Sequence, residues 1–513
     1  MCIKAKSHSL KAGILEGIRV LDLSRMLSGP YATMLLADHG AEVIKIESAD
    51  GDSSRRSGPY KEDDLKRNWS GYFISLNRNK KSISLNLKNG DDLAFFKRLI
   101  EKSDVLVENF RPGVMNRLGL SFDEVSKINP TIVYGSISGF GSGSFGESPY
   151  KNWPSYDVVA QAMGGLISLT GYDEENPIKV GPGIADIFSG SLLSFGLLAS
   201  ILKTRDTGRA QFVEVAMYDA IISMCERAIY QYDFNNVIPK PEGNGHPLLA
   251  PFGIYKAKDG FIAIGIVEDF YWNILKKLIA TDDILNDLKY GTISLRAQNR
   301  KELNEKINIW TERFSKKELV SLLGGKVPFG PVNNVREIFE DKHVRNRDMI
   351  FEIEDPSGKE KKWRVAGNPV KFQGFGSFNL MPPNLGEHKK LYVTNLDSIN
   401  SNNPRHSFQP QQKDYRCKIS FLSKNNKVFE LNACSFTWLK SRETYLICSV
   451  SKSQFMAFEN CYNTVKFYFF KVIAGNDGYK DVVNLLNTKL SNKDIYDVSI
   501  IDTKVEILIS VKT

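Results

Sequence analysis

The chain has 513 residues, 42% of them apolar and 25% charged, the balance of an ordinary globular protein with room for about two to four domains. The formal net charge of +9 is mild, and more than half of it arises in residues 401–513, where Lys and Arg outnumber Asp and Glu 16 to 10. Such a charge does not call for nucleic acid; it suits either an enzyme of anionic substrates or a solvated surface without special meaning.

In chain order, the β-branched run Gly17-Ile-Arg-Val-Leu-Asp-Leu-Ser24 predicts a strand that feeds a helix over residues 30–38, with Pro30 in its first turn. Residues 42–47, 82–87, 105–108 and 131–138 read as further strands, and 91–103 as an amphipathic helix. Strands alternating with helices predict a doubly wound, Rossmann-like α/β domain. A Gly/Pro-rich turn at 180–183 leads into a long helix, followed by a strand over 210–215 and a helix over 218–234. Residues 253–265 read as a hairpin around Lys258-Asp259-Gly260, 270–323 as mostly helical, and 332–339 and 351–362 as strands and turns.

The expected organisation is therefore a large α/β domain over 13–225, a small α+β domain over 226–325, and a return segment over 326–394 that completes the large domain. A linker at 395–412, rich in Asn, Ser, Pro and Gln, then leads to a C-terminal α+β module over 413–513. That module has strands expected at 418–422, 427–431, 445–450, 465–473 and 505–511, one amphipathic helix at 479–490, and no legible function.

None of the six cysteines stands in a C-x-x-C pair, so no zinc site is expected, and buried thiols in a reducing compartment fit better than a disulfide scaffold. No run reaches the roughly 18 uncharged apolar residues of a membrane span. The longest, within residues 189–202, is broken by Gly190, Ser191 and Gly196 and reads as a buried helix. Residues 1–15 carry Lys4, Lys6 and Lys11 and no acid, which leaves a cytoplasmic or a mitochondrial-matrix location open.

Gly141-Ser-Gly-Ser-Phe-Gly146 matches G-x-G-x-x-G after a strand, but Pro149 and Pro154 follow, so no helix N-terminus is available for a pyrophosphate. It reads as a flexible turn or a mobile loop beside a substrate. In Val180-Gly-Pro-Gly-Ile-Ala-Asp186, the aspartate meets the start of the long helix. Two roles stay open for Asp186: a helix N-cap, or a nucleophilic carboxylate approached closely because Gly181 and Gly183 leave room.

Several segments together resemble one family. They are the leader through Asp22-Leu-Ser with Ser28-Gly-Pro-Tyr31, then Asp38-His-Gly-Ala-Glu-Val-Ile-Lys-Ile-Glu47, Asn77-Arg-Asn-Lys-Lys-Ser-Ile83, and Val107-Glu-Asn-Phe-Arg-Pro-Gly113 through Gly119. Tyr156-Asp157, Thr207-Gly-Arg209, Pro328-Phe-Gly-Pro-Val-Asn333 and Gly386-Glu-His388 follow in the same order. Over about residues 13–390 the chain resembles the class III CoA-transferases.

The resemblance implies an interlocked-dimer CoA-transferase fold, with Asp186 as nucleophile and acyl-CoA and a carboxylic acid as substrates, and with no tightly bound cofactor or metal. It places CoA contacts at Leu85, Asn109, Phe110, Arg117 and Lys151, with Arg78 and Lys80 as further phosphate partners. The family's formyl-CoA transferases carry a tetraglycine run that is absent around Asn244-Gly-His246-Pro247. This points away from formyl-CoA and oxalate towards succinate- and glutarate-type dicarboxylates, with Tyr156 and His246 as substrate contacts. Alternatives are a 2-methylacyl-CoA racemase, opposed by Tyr156 standing where racemases carry His, and a CoA-binding protein without activity, opposed by the intact Asp186.

Overall fold

The computed structural model describes residues 13–395, apart from 65, 66, 68, 280–286, 356–361, 377, 379 and 380, together with six short strands between 418 and 508. The chain divides into two compact units, Met1–Asn400 and Ser401–Thr513.

The first unit is organised by a six-stranded parallel sheet. Its strands are β1 (Arg19–Asp22), β2 (Glu42–Glu47), β3 (Lys80–Ser84), β4 (Val105–Glu108), β5 (Val133–Ser138) and β6 (Gln211–Ala216), in the spatial order β3-β2-β1-β4-β5-β6. The centre is buried on both faces, which is why β1 and β4 read as continuous apolar runs: Val20, Leu21, Val105, Leu106 and Val107 are all buried. One face packs on helices α1 (Ser28–Asp38) and α7 (Ile184–Thr207) through Val20, Ala32, Val133, Ile137, Leu193 and Leu197. The other face packs on α3 (Gly90–Glu101) and α5 (Phe122–Ile128) through Leu21, Leu106, Phe96, Leu99 and Val125. Strand order reverses between β1 and β4, so the loops leaving these two strands diverge and open a crevice at their carboxyl ends.

Three further helices frame that crevice: α2 (Gly71–Asn77), capped by the Ser70 hydroxyl; α4 (Val114–Arg117); and α6 (Asp157–Met163). The helix expected over 218–234 is two, α8 (Met217–Met224) and α9 (Glu226–Asn235), joined at the buried Cys225. The helix α7 is long and apolar enough to cross a membrane by length and composition. Here Leu193, Leu197 and Ile201 enter the sheet's core, while Phe195 and Leu202 on its other side stay exposed.

The small domain has its own core, in which Tyr255, Ile262, Ile264, Trp272, Leu303, Ile307 and Leu319 pack together. It is built on the antiparallel strands Phe252–Ala257, Gly260–Gly265 and Phe329–Pro331, the first two forming the hairpin expected there. Residues 332–339, expected as strand and turn, instead contain the helix Val335–Glu340, started by a capping box between Asn334 and Glu337. The second unit shows three two-stranded antiparallel pairs, Lys418–Leu422 with Val428–Asn432, Thr444–Leu446 with Phe470–Val472, and Asp497–Ile501 with Lys504–Leu508. The helix expected at 479–490 lies outside the described residues.

Candidate active site

Asp186 sits in the first turn of α7. It is not the N-cap. Gly183 holds that position, and the first-turn N–H of Ala185 is instead satisfied by Asp157 Oδ1 at 2.8 Å, from the first turn of α6. Asp186 is therefore relieved of capping. Gly190 lies one helical turn further along the same face. A Cβ there would come within 2.5 Å of the Ser28 carbonyl oxygen, so α7 lies directly on the start of α1. The Asp186 carboxylate consequently lies over Ser28, whose hydroxyl is near enough to lower its pKa.

Ser28 ends a loop leaving β1 whose backbone is held at Ser24, Arg25 and Met26. Asp22 Oδ1 accepts from Ser24 N–H at 3.0 Å and from its hydroxyl. Lys45 Nζ donates to the Ser24 carbonyl at 2.8 Å and pairs with Asp52 at 2.9 Å. Asp52 in turn accepts from Met26 N–H at 3.2 Å, which fixes Met26 at a φ of +64° that a side chain rarely adopts. From β4, Asn109 accepts Arg25 N–H and donates to the Arg25 carbonyl, both at 2.8 Å, and donates to Ser28 Oγ at 3.2 Å. Ser28 follows β1 and Asn109 follows β4, so the carboxylate is held across the switch point of the sheet.

Electrostatics raise the basicity of Asp186. Burial, and then the negative charge of Asp157, push its pKa up to about 6, against the Ser28 hydrogen bond that lowers it. The Tyr72 phenol, from the first turn of α2, feels the same field: burial and the charges of Asp186, Asp52 and Asp157 push it up to about 12. A half-buried carboxylate made more basic than usual can act as a nucleophile at neutral pH. Neither Ser28 nor Tyr72 was assigned a role from sequence; Ser28-Gly-Pro-Tyr31 was the available signal for the first, and nothing local marks the second.

The expected CoA contacts separate into two groups. Asn109, Phe110, Arg117 and Lys151 lie on loops and a short helix around the crevice. Phe110 is half-buried beneath the Arg25 guanidinium at 4.6 Å, Arg117 is exposed in α4, and Lys151 is paired only loosely with Glu147 at 3.5 Å. Arg78 and Lys80 belong inside instead, and correct the sequence reading. Arg78 makes a two-pronged pair with Asp38 at 2.7 and 2.9 Å, and Lys80 is bonded to Asp22, Thr33 and Asn77. Burial draws the Lys80 pKa down to about 8 in spite of Asp22. A cation at 1% or 3% exposure cannot also reach a phosphate in solvent. Leu85, at 3% exposure, is likewise buried in the core cluster that includes Ile46, Ile83 and Phe96, leaving its side chain no face for an adenine.

Tyr156 is the residue before α6 and is exposed. His246 receives the Leu248 N–H on Nδ1 at 3.1 Å, lies 3.0 Å from Arg227, and packs on Phe252. No contact joins either residue to Asp186 among the described residues. Gly141, Gly143 and Gly146 all have positive φ, and the next helix begins only at Asp157, so this loop carries no helix N-terminus. Among the described residues no group of three or more His, Cys, Asp or Glu could hold a metal ion.

The sequence of CoA-transferase family III matches residues 15–389. The chain is 39% identical over 378 residues to the succinyl-CoA:mesaconate CoA-transferase of Haloarcula marismortui, covering 74% of this chain and 95% of that one. It is 33% identical to the succinyl-CoA:glutarate CoA-transferase of Mus musculus, covering 73% and 85%. The crystal structure of a CAIB/BAIF family protein from Brucella suis superposes with a TM-score of 0.67 at 30% identity, covering 75% of this chain and all of that one. Residues 401–513 lie outside the family match. With the family match over residues 15–389 and relatives at this identity and coverage, the chain belongs to CoA-transferase family III.

Proposed function

We propose that the protein moves CoA from succinyl-CoA to a second dicarboxylic acid, of the size of glutarate or mesaconate, through covalent intermediates on Asp186. The observation that carries this reading is the Asp186 carboxylate itself: freed from capping by Asp157, set over Ser28, and raised to about 6. The names of the relatives support the choice of dicarboxylates.

The carboxylate attacks the thioester carbonyl, and collapse of the tetrahedral adduct breaks the C–S bond to give a mixed anhydride and CoA thiolate. The thiolate attacks the aspartyl carbonyl and expels the donor acid, leaving an aspartyl-CoA thioester. The acceptor carboxylate repeats the two steps in reverse. One thioester replaces another, so no other energy source is needed. Water must be kept from the anhydride, which favours a site that closes around its substrate. Asn109, Phe110, Arg117 and Lys151 bind CoA in this reading, the cations meeting phosphate oxygens by charge-assisted hydrogen bonds. Exposed apolar side chains on α7 and α9, Phe195, Leu202 and Phe234 among them, support assembly as a homodimer.

The test is incubation with succinyl-CoA and a panel of mono- and dicarboxylic acids, beside Asp186→Ala, with new acyl-CoA species followed by mass. Transfer to dicarboxylates by the wild type and none by the variant is expected. Transfer confined to monocarboxylates, or an Asp186→Ala variant as active as wild type, would overturn the reading.

A further inference from the structure

The face of the sheet turned away from α7 carries a row of polar side chains that the chemistry at Asp186 does not use. Gly135 faces α7, since a Cβ there would meet Leu197 at 2.8 Å and Leu193 at 3.3 Å. Its neighbour Ser136 therefore points the other way. The strand register sets Ser136 beside Glu108 on β4 and beside Glu214 on β6, so the three side chains form one line across three strands. The Ser136 hydroxyl donates to Glu108 Oε1 at 2.5 Å.

Each carboxylate of the row holds a different loop. Glu108 Oε2 accepts the Phe110 N–H at 2.8 Å and so fixes the turn that presents Asn109 and Phe110. Glu214 Oε1 accepts the Ser142 N–H, at the head of the Gly-rich loop that follows β5. Gly141 and Gly143, at φ +87° and +95°, turn that loop back over β6, where Phe145 stacks on Phe212 with ring centroids 5.7 Å apart. Phe212 stands two residues before Glu214 and hence on the same face. The loop returns Lys151 against Gly143, where a Cβ would lie 2.6 Å from Lys151 Nζ. Burial and the nearby Glu214 charge push Glu108 up to about 7, against the hydrogen bonds from Ser136 and Phe110, so the row is built at an energetic cost.

We propose that Glu108, Ser136 and Glu214 are positioning residues for acyl-CoA, locking the Asn109–Phe110 turn and the loop that carries Lys151 at a fixed separation so that both meet one CoA molecule. The inference rests on the assignment of Asn109, Phe110 and Lys151 to CoA made above. At Glu214 the effect belongs to CoA binding and not to the acid, because Glu214 holds the loop that carries Lys151, whereas Glu108 also bears on Ser28 through Asn109.

The experiment measures CoA binding by calorimetry, and KM for succinyl-CoA and for the acceptor acid, in Glu214→Ala, Glu214→Gln and Lys151→Ala. Glu214→Ala removes the acceptor for Ser142 N–H; it should weaken CoA and raise the acyl-CoA KM about tenfold, the scale of one hydrogen bond to a charged group, with kcat and the acceptor KM little changed. Glu214→Gln keeps a carbonyl oxygen for that N–H and should restore CoA affinity to within about twofold of wild type. Wild-type CoA affinity in Glu214→Ala, while Lys151→Ala is weakened, would overturn the positioning role and leave the CoA site standing. Wild-type affinity in Lys151→Ala would overturn the CoA assignment and the positioning role together. Equal losses in both KM values and kcat with a lowered unfolding temperature would reduce the row to a structural feature.

Discussion

Residues 23–28 and residues 139–154 leave the same edge of the sheet, from β1 and β5, and are held in different ways. The first loop is bound from beneath by Asp22, Lys45 and Asp52, all buried, and from the side by Asn109. The second has no buried charge beneath it: Gly141 N–H bonds to Ser138 Oγ, Ser142 N–H to Glu214 and the Gly139 carbonyl to Tyr218 N–H, Phe140 is buried against Tyr150 and Tyr218, and Phe145 and Trp153 are exposed. The difference assigns the two sides of the site different work. On the proposed mechanism the Asp186 carboxylate is positioned from the rigid side, where misplacement costs most, and CoA would enter on the side whose groups still have free surface. Buried charge is an expensive way to build a loop. Burial alone would raise Asp22, yet Lys80, Lys45 and the Ser24 hydrogen bond draw it down to about 2, so the charged state prevails only because the partners are in place.

Breaking the rigid side should have the largest effect. Lys80→Met leaves Asp22 buried without its nearest cation and should cost on the order of 3–5 kcal/mol of stability, read as a lowered denaturant midpoint with activity lost in parallel. The Asp22 contribution is present above its unfolded pKa near 3.8 and is lost as pH falls towards about 2. The wild-type enzyme should therefore shed stability across that window on acidification. Asn109→Ala keeps the buried charges but frees Arg25 and Ser28. Turnover should fall by roughly 10–100-fold with the unfolding temperature nearly unchanged, since a displaced reacting group costs rate more than stability.

Electrostatics at Asp186 sharpen the comparison. Attack requires the ionised carboxylate, so the acidic limb of the kcat profile should lie near pH 6. Asp157→Asn removes the neighbouring negative charge while an amide oxygen can still accept the Ala185 N–H, and should move that limb down by less than about one pH unit. An unmoved limb would place the titration on another group. The smallest effect is on stability. The folded pKa of Asp186 is raised from 3.8 to about 6. This group therefore costs nothing below pH 3.8, and its full cost is felt above pH 6. Asp186→Asn should consequently stabilise the fold at pH 8 by on the order of 2 kcal/mol and not at pH 4, measured as a rise of a few degrees in unfolding temperature at the higher pH only.

Much of the large domain was legible because buried parallel strands announce themselves as apolar runs, as in Val105-Leu-Val107 and Val43-Ile44. The glycines before Asp186 marked the place but left a cap and a nucleophile open there; Gly183 takes the cap position, a boundary shift of a residue or two that sequence does not resolve. What stayed hidden depends on contacts between distant segments. Tyr72 and Ser28 reach Asp186 only through packing of α1, α2 and α7, and Glu108, Ser136 and Glu214 are aligned only by strand register. Arg78 and Lys80 show the converse. A basic residue beside a motif looks the same in sequence whether it meets a phosphate in solvent or a buried carboxylate, and the partners Asp38 and Asp22 lie some forty or more residues upstream.

The most direct test of the account is to trap the covalent intermediate. Wild-type enzyme is mixed with succinyl-CoA without acceptor, quenched with hydroxylamine and digested, and the peptides are sequenced by mass spectrometry. An acylated aspartate is converted to its hydroxamate, and the account places that label on Asp186, dependent on succinyl-CoA and retained in Glu214→Ala. A label on another residue, or turnover by wild type with Asp186 unmodified throughout, would contradict it.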